Sequence, residues 1–224
     1  MNKILLIFFL LFALTSVSHA EDFIIPPECE IIIDDFQHGI KPGWINKSFK
    51  GKTEYTWVKE NGDPFVRATS NNAASGLIYK INYDPQKYPF IIWNWKVDNI
   101  IASGDTAQKS GDDYAARLYV VFPSFFFWNT KAINYIWANK LPKNKAVPNP
   151  FTANNIMISK ESGPSNTGRW ITETGNVFED YIRYFGEQPP KVSAIAIMTD
   201  TDNTGESTSA SYGPIAICTQ DPRN

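Results

Sequence analysis

The stretch Met198-Thr199-Asp200-Thr201-Asp202-Asn203-Thr204-Gly205 sets two carboxylates and a hydroxyl at alternate positions ahead of a glycine. Oxygen ligands at that spacing suit a hard cation such as calcium, so Asp200, Asp202 and Thr204 form a candidate metal set. A helix-loop-helix calcium site is excluded. It needs a glutamate as its last ligand, where Ser211 stands, and apolar flanking helices that the sequence lacks. A second polar group is Asp112, Asp113 and Arg117. A strand beginning near Asp113 would place Asp113, Ala115, Arg117 and Tyr119 on one face, with Asp113 and Arg117 about 13 Å apart. Asp200 and Asp202 share parity with Val192, Ala194, Ala196 and Met198, so both should leave the end of a late strand on one face. Two neighbouring carboxylates repel unless an arginine, a cation or a ligand neutralises them. The candidate ligand-binding residues are therefore Asp112, Asp113, Arg117, Tyr119, Asp200 and Asp202, on either a polar groove or a solvated face crossed by ion pairs.

Paired carboxylates also serve glycoside hydrolysis, which needs two of them about 5–10 Å apart across a cleft. Glu179 and Asp180 join the acidic candidates, but acids in the first turn of a helix have a simpler role in complementing its dipole. The strand pattern E-x-D-x-x-E is absent, as are G-x-S-x-G, the phosphate-binding loop and G-x-G-x-x-G. His38 is the one histidine after His19, in the turn-like D-D-F-Q-H-G-I, which leaves no histidine-rich zinc site. No catalytic residue can be named. Seven Trp, ten Tyr and fifteen Phe supply aromatic faces on which a sugar could stack. Trp93, Trp95, Tyr119 and Trp137 are candidates, although wet neighbours at Asn94 and Lys96 turn Trp93 and Trp95 toward a core. Phe125-Phe126-Phe127-Trp128 fits neither a helical nor a strand period, and reads as a buried crossover or as an exposed apolar patch.

The elements that would carry these residues are mostly strands. Period-two alternation runs through 77–83, 91–97, 114–122, 155–159 and 192–199, with a last strand at about 211–219. Turn signals separate them at Asn61-Gly62-Asp63-Pro64, Ser103-Gly104-Asp105 and Ser162-Gly163-Pro164. One segment differs: Phe178, Tyr181, Ile182 and Phe185 recur at helical spacing. Asn176 is an N-cap with Glu179 three residues on, Gly186 suits the left-handed C′ position, and Pro189-Pro190 bars continuation. The pattern predicts an all-β antiparallel sandwich or jelly roll with one short helix near 177–185.

Residues 1–20 read as a signal peptide: Lys3, an apolar run from Ile4 to Leu14 too short to span a bilayer, and Ser18-His19-Ala20 for cleavage following Ala20. Residues 21–224 then form a single β-sandwich domain, periplasmic or secreted, with no further membrane span. The two cysteines, Cys29 and Cys218, are expected to form one disulfide in an oxidising compartment. With 21 Lys and Arg against 23 Asp and Glu and no basic stripe, nucleic acid is not an expected partner.

Several motifs stand together in order: Trp93-Asn94-Trp95, Gly111-Asp112-Asp113-Tyr114-Ala115-Ala116-Arg117, Asn134-Tyr135-Ile136-Trp137, Glu179-Asp180-Tyr181, Phe185-Gly186-Glu187 and Met198 to Thr204. From about Asp34 to Ile217 the chain resembles a bacterial exported family catalogued as domain of unknown function 3047. That family brings no activity. The resemblance implies an arginine just before the helix, where this chain has Thr174-Gly175-Asn176. Ile33-Asp34-Asp35-Phe36 with Gly43-Trp44 also looks like the opening strand of carbohydrate-binding jelly rolls, whose first and last strands often lie side by side. The expected function is non-catalytic binding of a saccharide or envelope glycan, with calcium as a possible cofactor. A glycan-active hydrolase or lyase using the paired carboxylates, and a structural envelope protein, are the alternatives.

Overall fold

The computed structural model describes residues 24–223. The expected signal segment lies outside the described residues. Thirteen strands and one helix follow in chain order: β1 (Ile31–Asp34), β2 (Trp44–Lys50), β3 (Glu54–Glu60), β4 (Asp63–Asn71), β5 (Ala74–Tyr83), β6 (Phe90–Val97), β7 (Arg117–Phe122), β8 (Lys131–Ala138), β9 (Ala146–Asn149), β10 (Thr152–Ser162), β11 (Ile171–Asn176), α1 (Val177–Phe185), β12 (Val192–Asp200) and β13 (Ser207–Cys218). They form two sheets packed face to face. One has six strands in the order β11-β6-β13-β4-β3, with β1 also paired to β13; the other has seven in the order β2-β5-β12-β7-β8-β10-β9. Pairing is antiparallel except between β8 and β10, which run parallel.

Alternation along the strands explains the layers. Leu118, Val120 and Phe122 of β7 and Ile195 and Ile197 of β12 point between the sheets and are buried. They meet Trp93 and Trp95 of β6, and Trp93 stacks on Tyr135 with ring centroids 5.1 Å apart. The Asn61-Gly62 turn joins β3 to β4 with both residues at positive φ, 54° and 100°, as a two-residue hairpin of primed type requires. β1 lies antiparallel to β13, and a disulfide joins Cys29 to Cys218 beside that pair.

Helix α1 spans the predicted residues. The Asn176 side chain accepts the Glu179 N–H at 3.0 Å, and Gly186 closes the helix at φ 71°. Tyr181 packs on Phe122 at 4.4 Å between centroids. Asp180 accepts a hydrogen bond from the Tyr135 hydroxyl at 2.7 Å, tying the helix to β8. Gly175 occupies the place where the resemblance implies an arginine. A Cβ there would lie 2.4 Å from Cζ of Tyr135, so the tyrosine ring fills the space a side chain would need.

The gap between β11 and β10 is closed by polar contacts. Lys143 bonds Glu161, which also accepts from Asn166 Nδ2 at 3.0 Å, and lies 3.6 Å from Glu173. Glu173 is buried, and burial pushes its carboxyl up to about 7. Among the described residues no helix is long and apolar enough to cross a membrane.

Two expectations are corrected here. Phe125 to Trp128 is not a buried crossover. The four rings lie in the turn between β7 and β8 at the end of the sandwich, where neither sheet covers them, and Phe125 is 95% exposed. β7 also starts later than the alternation suggests, at Arg117 rather than near Asp113. Side chains take up the backbone of 112–116: the Tyr114 N–H donates to Asp200, and the Ala115 carbonyl accepts from the Thr199 hydroxyl at 2.8 Å.

Candidate functional site

The outer face of the seven-stranded sheet carries the site. Arg117 and Tyr119 project outward from β7, because Leu118 and Val120 point inward. Register sets Arg117 opposite Met198 and Tyr119 opposite Ala196 of β12. Asp200 lies two residues beyond Met198 and shares its face. The loop before β7 brings Asp112 over the same spot. The Arg117 guanidinium donates from Nη2 to Asp112 Oδ1 at 2.9 Å and to the Asp112 carbonyl at 3.0 Å. Nη1 lies 3.1 Å from Asp200 Oδ2 and donates to the Tyr119 hydroxyl at 2.8 Å. The guanidinium carbon sits 4.2 Å from the centroid of the Tyr114 ring. Its Nε has no partner among the described residues, although the side chain is only 4% exposed.

The carboxylates divide into roles. Asp112 Oδ2 accepts from Asn149 Nδ2 at 2.7 Å, so both its oxygens are held. Asp113 is fully buried and forms no ion pair with Arg117. It caps the turn after β12 instead, accepting from the Asn203 and Thr204 N–H groups at 3.0 and 2.6 Å and from Asn203 Nδ2 at 3.1 Å. It therefore does not share an open sheet face with Arg117, because it belongs to the loop. Asp202 is half-buried, and the Lys50 ammonium bonds its carbonyl at 2.6 Å. One oxygen from each of Asp113, Asp200 and Asp202 lies within 4.8 Å of the others. Those three are carboxylates that could hold a cation, and Asp113 joins the expected Asp200 and Asp202. The Thr204 hydroxyl accepts the Glu206 N–H at 3.3 Å and braces the turn.

Burial drives the Asp200 carboxyl well above the usual carboxylate range. Arg117 opposes that shift, while Asp113 and Asp112 add to it. Asp202 is raised by burial and then by Asp113. Burial works against the Arg117 charge, but Asp200, Tyr119 and Asp112 outweigh it and hold the guanidinium charged. Burial also pushes the Tyr119 hydroxyl up to about 12, against the pull of Arg117.

These groups open into a groove of about 440 Å³. Phe49, Tyr119 and Phe151 give it aromatic walls, and Asp112, Arg117, Asn149, Asn155, Asp200 and Asp202 give it polar ones. Phe49 and Phe151 are 60% and 55% exposed. Directly opposite Tyr119 in the sheet lies Asn134, fully buried, with neither side-chain polar atom bonded among the described residues; Asn155 Oδ1 is unpartnered as well. The structure thus gathers Asp112, Arg117, Tyr119, Asp200 and Asp202 on one groove and turns Asp113 into its structural support. Trp93, Trp95 and Trp137 are fully buried and offer no stacking face. Glu179 and Asp180 stay with the helix. Sequence reasoning missed Phe49, Phe151, Asn134, Asn149 and Asn155. Phe49 left no separate signal, because Trp44 and Ile45 on the same strand are apolar as well.

Residues 42–216 match the model of the family described as protein of unknown function DUF3047. The chain belongs to this family. The match takes in every strand from β2 to β12 and most of β13, and with them Asp112, Arg117, Tyr119, Asp200 and Asp202, so the groove is made within the DUF3047 segment. No curated protein matches the chain. Among solved structures it is similar to the family 30 carbohydrate-binding module of a Clostridium thermocellum cellulosomal cellulase, at 11% identity and a TM-score of 0.44, over 80% of this chain and 92% of that one. A xylan-binding domain of Paenibacillus barcinonensis Xyn10C gives 11% identity and 0.42, over 85% and 96%. The glycoside hydrolase domain of Endo-D from Streptococcus pneumoniae R6 gives 9% and 0.39, over 79% of this chain; this chain spans 22% of that one's length. The architecture described above rests on the strand pairing, and scores at this level add no argument about the site.

Proposed function

We propose that this DUF3047 protein is an exported, non-catalytic binder of a neutral saccharide, held in the groove above Arg117. The observation that carries the reading is a groove of about 440 Å³ in which the exposed rings of Phe49 and Phe151 share the lining with a buried arginine braced by two carboxylates. Sugar hydroxyls both donate and accept. The half-buried Asp202 carboxylate offers acceptors to the groove, and the Asn155 amide lines it as well. The one guanidinium in the lining is already engaged by Asp112 and Asp200, so an anionic sugar would meet no unpaired cation in the groove. Both oxygens of Asp112 and both of Asp200 are already bonded, which favours binding over proton transfer. The disulfide suits an oxidising compartment, in keeping with export through residues 1–20.

The test is calorimetric titration of the protein with neutral and acidic oligosaccharides. At least one neutral member should bind and no acidic one should bind more tightly. Phe151→Ala should weaken binding about tenfold. Failure of every neutral member to bind would sink the reading.

A calcium ion at Asp113, Asp200 and Asp202 is the second reading, favoured by the convergence of their oxygens. A melting temperature that rises with calcium, falls with chelator and loses both responses in Asp202→Asn supports it. Identical melting in all three conditions excludes it.

A further inference from the structure

The polar groove has an apolar continuation. Next to it lies a smaller cleft of about 180 Å³, lined by Phe49, Gly76, Ile78, Tyr119, Val121, Ala196 and Met198. No charged or amide side chain is among them. Phe49, Tyr119 and Met198 line both spaces, so the two form one trough across β2, β5, β12 and β7.

The sequence builds this trough by placing small residues between large ones. Gly76 and Ala196, on the two middle strands, form a low floor. Phe49 on β2 and Tyr119 on β7 stand on either side, three strand spacings or about 14 Å apart across the sheet, with Phe49 displaced along the strands from the level of Tyr119. Gly76 has little freedom to be larger, since a Cβ there would come 3.3 Å from the Ile197 carbonyl oxygen. An outward sheet face is ordinarily polar. Here Ile78, Val121, Ala194, Ala196 and Met198 face outward in addition to the inward set that makes the core. Phe49 is 60% exposed and Ile45, across from Ile78 in the sheet, 51%.

We infer that the ligand is an amphiphile: a neutral saccharide carrying an apolar substituent, its sugar over Arg117 and its apolar part in the cleft between Phe49 and Tyr119. The inference rests on the saccharide reading and extends it. Continuity with the polar groove selects the occupant, because a sugar seated against Tyr119 leaves its substituent one ring away from the cleft. An alkyl chain there would leave water for a surface whose lining carries no charge and no amide, and whose one hydroxyl, on Tyr119, is already bonded by Arg117.

The experiment uses methyl and octyl glycosides of glucose, galactose, mannose and N-acetylglucosamine, titrated below micelle-forming concentrations. For at least one head group the octyl form should bind more tightly than the methyl form, by roughly three- to fourfold for each methylene buried. Ala196→Leu, which fills the cleft, should abolish that gain and leave the methyl glycoside unaffected. Ile78→Ser, which makes the wall polar, should reduce the gain. Equal binding of methyl and octyl forms for every head group, or a gain that survives in Ala196→Leu, overturns the inference and leaves the saccharide reading standing. Binding of octyl tetraethylene glycol as tight as that of the best octyl glycoside overturns the saccharide reading and the inference with it, since the cleft would then bind the chain without a sugar. A dimer that dissociates in Ala196→Leu assigns the face to a second copy and overturns the inference.

Discussion

A guanidinium that is 4% exposed survives burial only because carboxylates reach it from two elements, Asp112 from the loop before β7 and Asp200 from the end of β12. Removing the cation leaves both acids buried without a counter-charge. Arg117→Met should therefore destabilise the fold by about 3–5 kcal/mol, read as a lower urea midpoint. Arg117→Lys should recover only part of this, because one ammonium cannot occupy both ends of the planar fork. A midpoint unchanged in Arg117→Met would show that the network contributes little. Glu173 gives a second prediction at this scale. Its carboxyl is raised from 4.5 to about 7, so the folded state binds the proton more tightly than the unfolded state does. The resulting stability is fully present below pH 4.5 and is lost as pH rises through about 7. Glu173→Gln should remove that slope, so that its stability relative to wild type rises by up to about 3 kcal/mol between pH 4.5 and 8. A constant difference across that range would contradict the assignment.

Among the elements, β11 and α1 depend on one glycine. Any side chain at 175 meets the Tyr135 ring, which stacks on Trp93 and donates to Asp180 of the helix. Gly175→Ala should cost about 1–3 kcal/mol as overpacking and loosen the helix, seen as faster amide exchange in 177–185 than in β12. Uniform exchange in both would argue that the helix is held elsewhere. This dependence was hidden in the sequence, because Gly175 reads as an ordinary strand residue until Tyr135 is placed against it. The helix itself was legible from Asn176, Gly186 and its apolar spacing, since caps and periodicity are local. Strands β5, β6, β7, β10, β12 and β13 were legible for the same reason, whereas β2, β3, β4 and β8 showed no alternation that marked them. The parallel pairing of β8 with β10 was not legible, as nothing local distinguishes it. The start of β7 was misjudged because Asp200 and Thr199, more than eighty positions away, bond the backbone of 114 and 115. The site divides in the same way. Alternation showed that Arg117 shares a face with Tyr119, and Asp200 with Asp202. That Arg117 meets Asp200 depends on the register between β7 and β12, which no single segment encodes. Phe49, Asn149 and Phe151 join through tertiary contact alone.

At the scale of the molecule the chain closes on itself. β13 is hydrogen-bonded to β1, β4 and β6, so the last strand ties together the first, an early pair and the middle of its sheet. The Cys29–Cys218 bond lies beside this junction and spans a sequence separation of 189. A loop of that length removes a large share of the freedom of the unfolded chain, about 5 kcal/mol in the chain-entropy model. The Thr219 N–H also donates to the Glu28 carbonyl at 3.0 Å, so the two ends remain adjacent by backbone bonding when the disulfide is cut. The folded structure should thus persist in reductant while the unfolded state gains freedom. Urea unfolding in reductant, or of the Cys29→Ala, Cys218→Ala double variant, should show a lower midpoint. The loss should approach 5 kcal/mol if global unfolding is two-state, and be smaller if residues before β2 detach first. Amide exchange separates the two cases: early exchange confined to β1 and the paired end of β13 marks local detachment, whereas matched acceleration across both sheets marks the global effect. An unchanged midpoint would mean that pairing of β1 with β13, rather than the covalent bond, closes the sandwich.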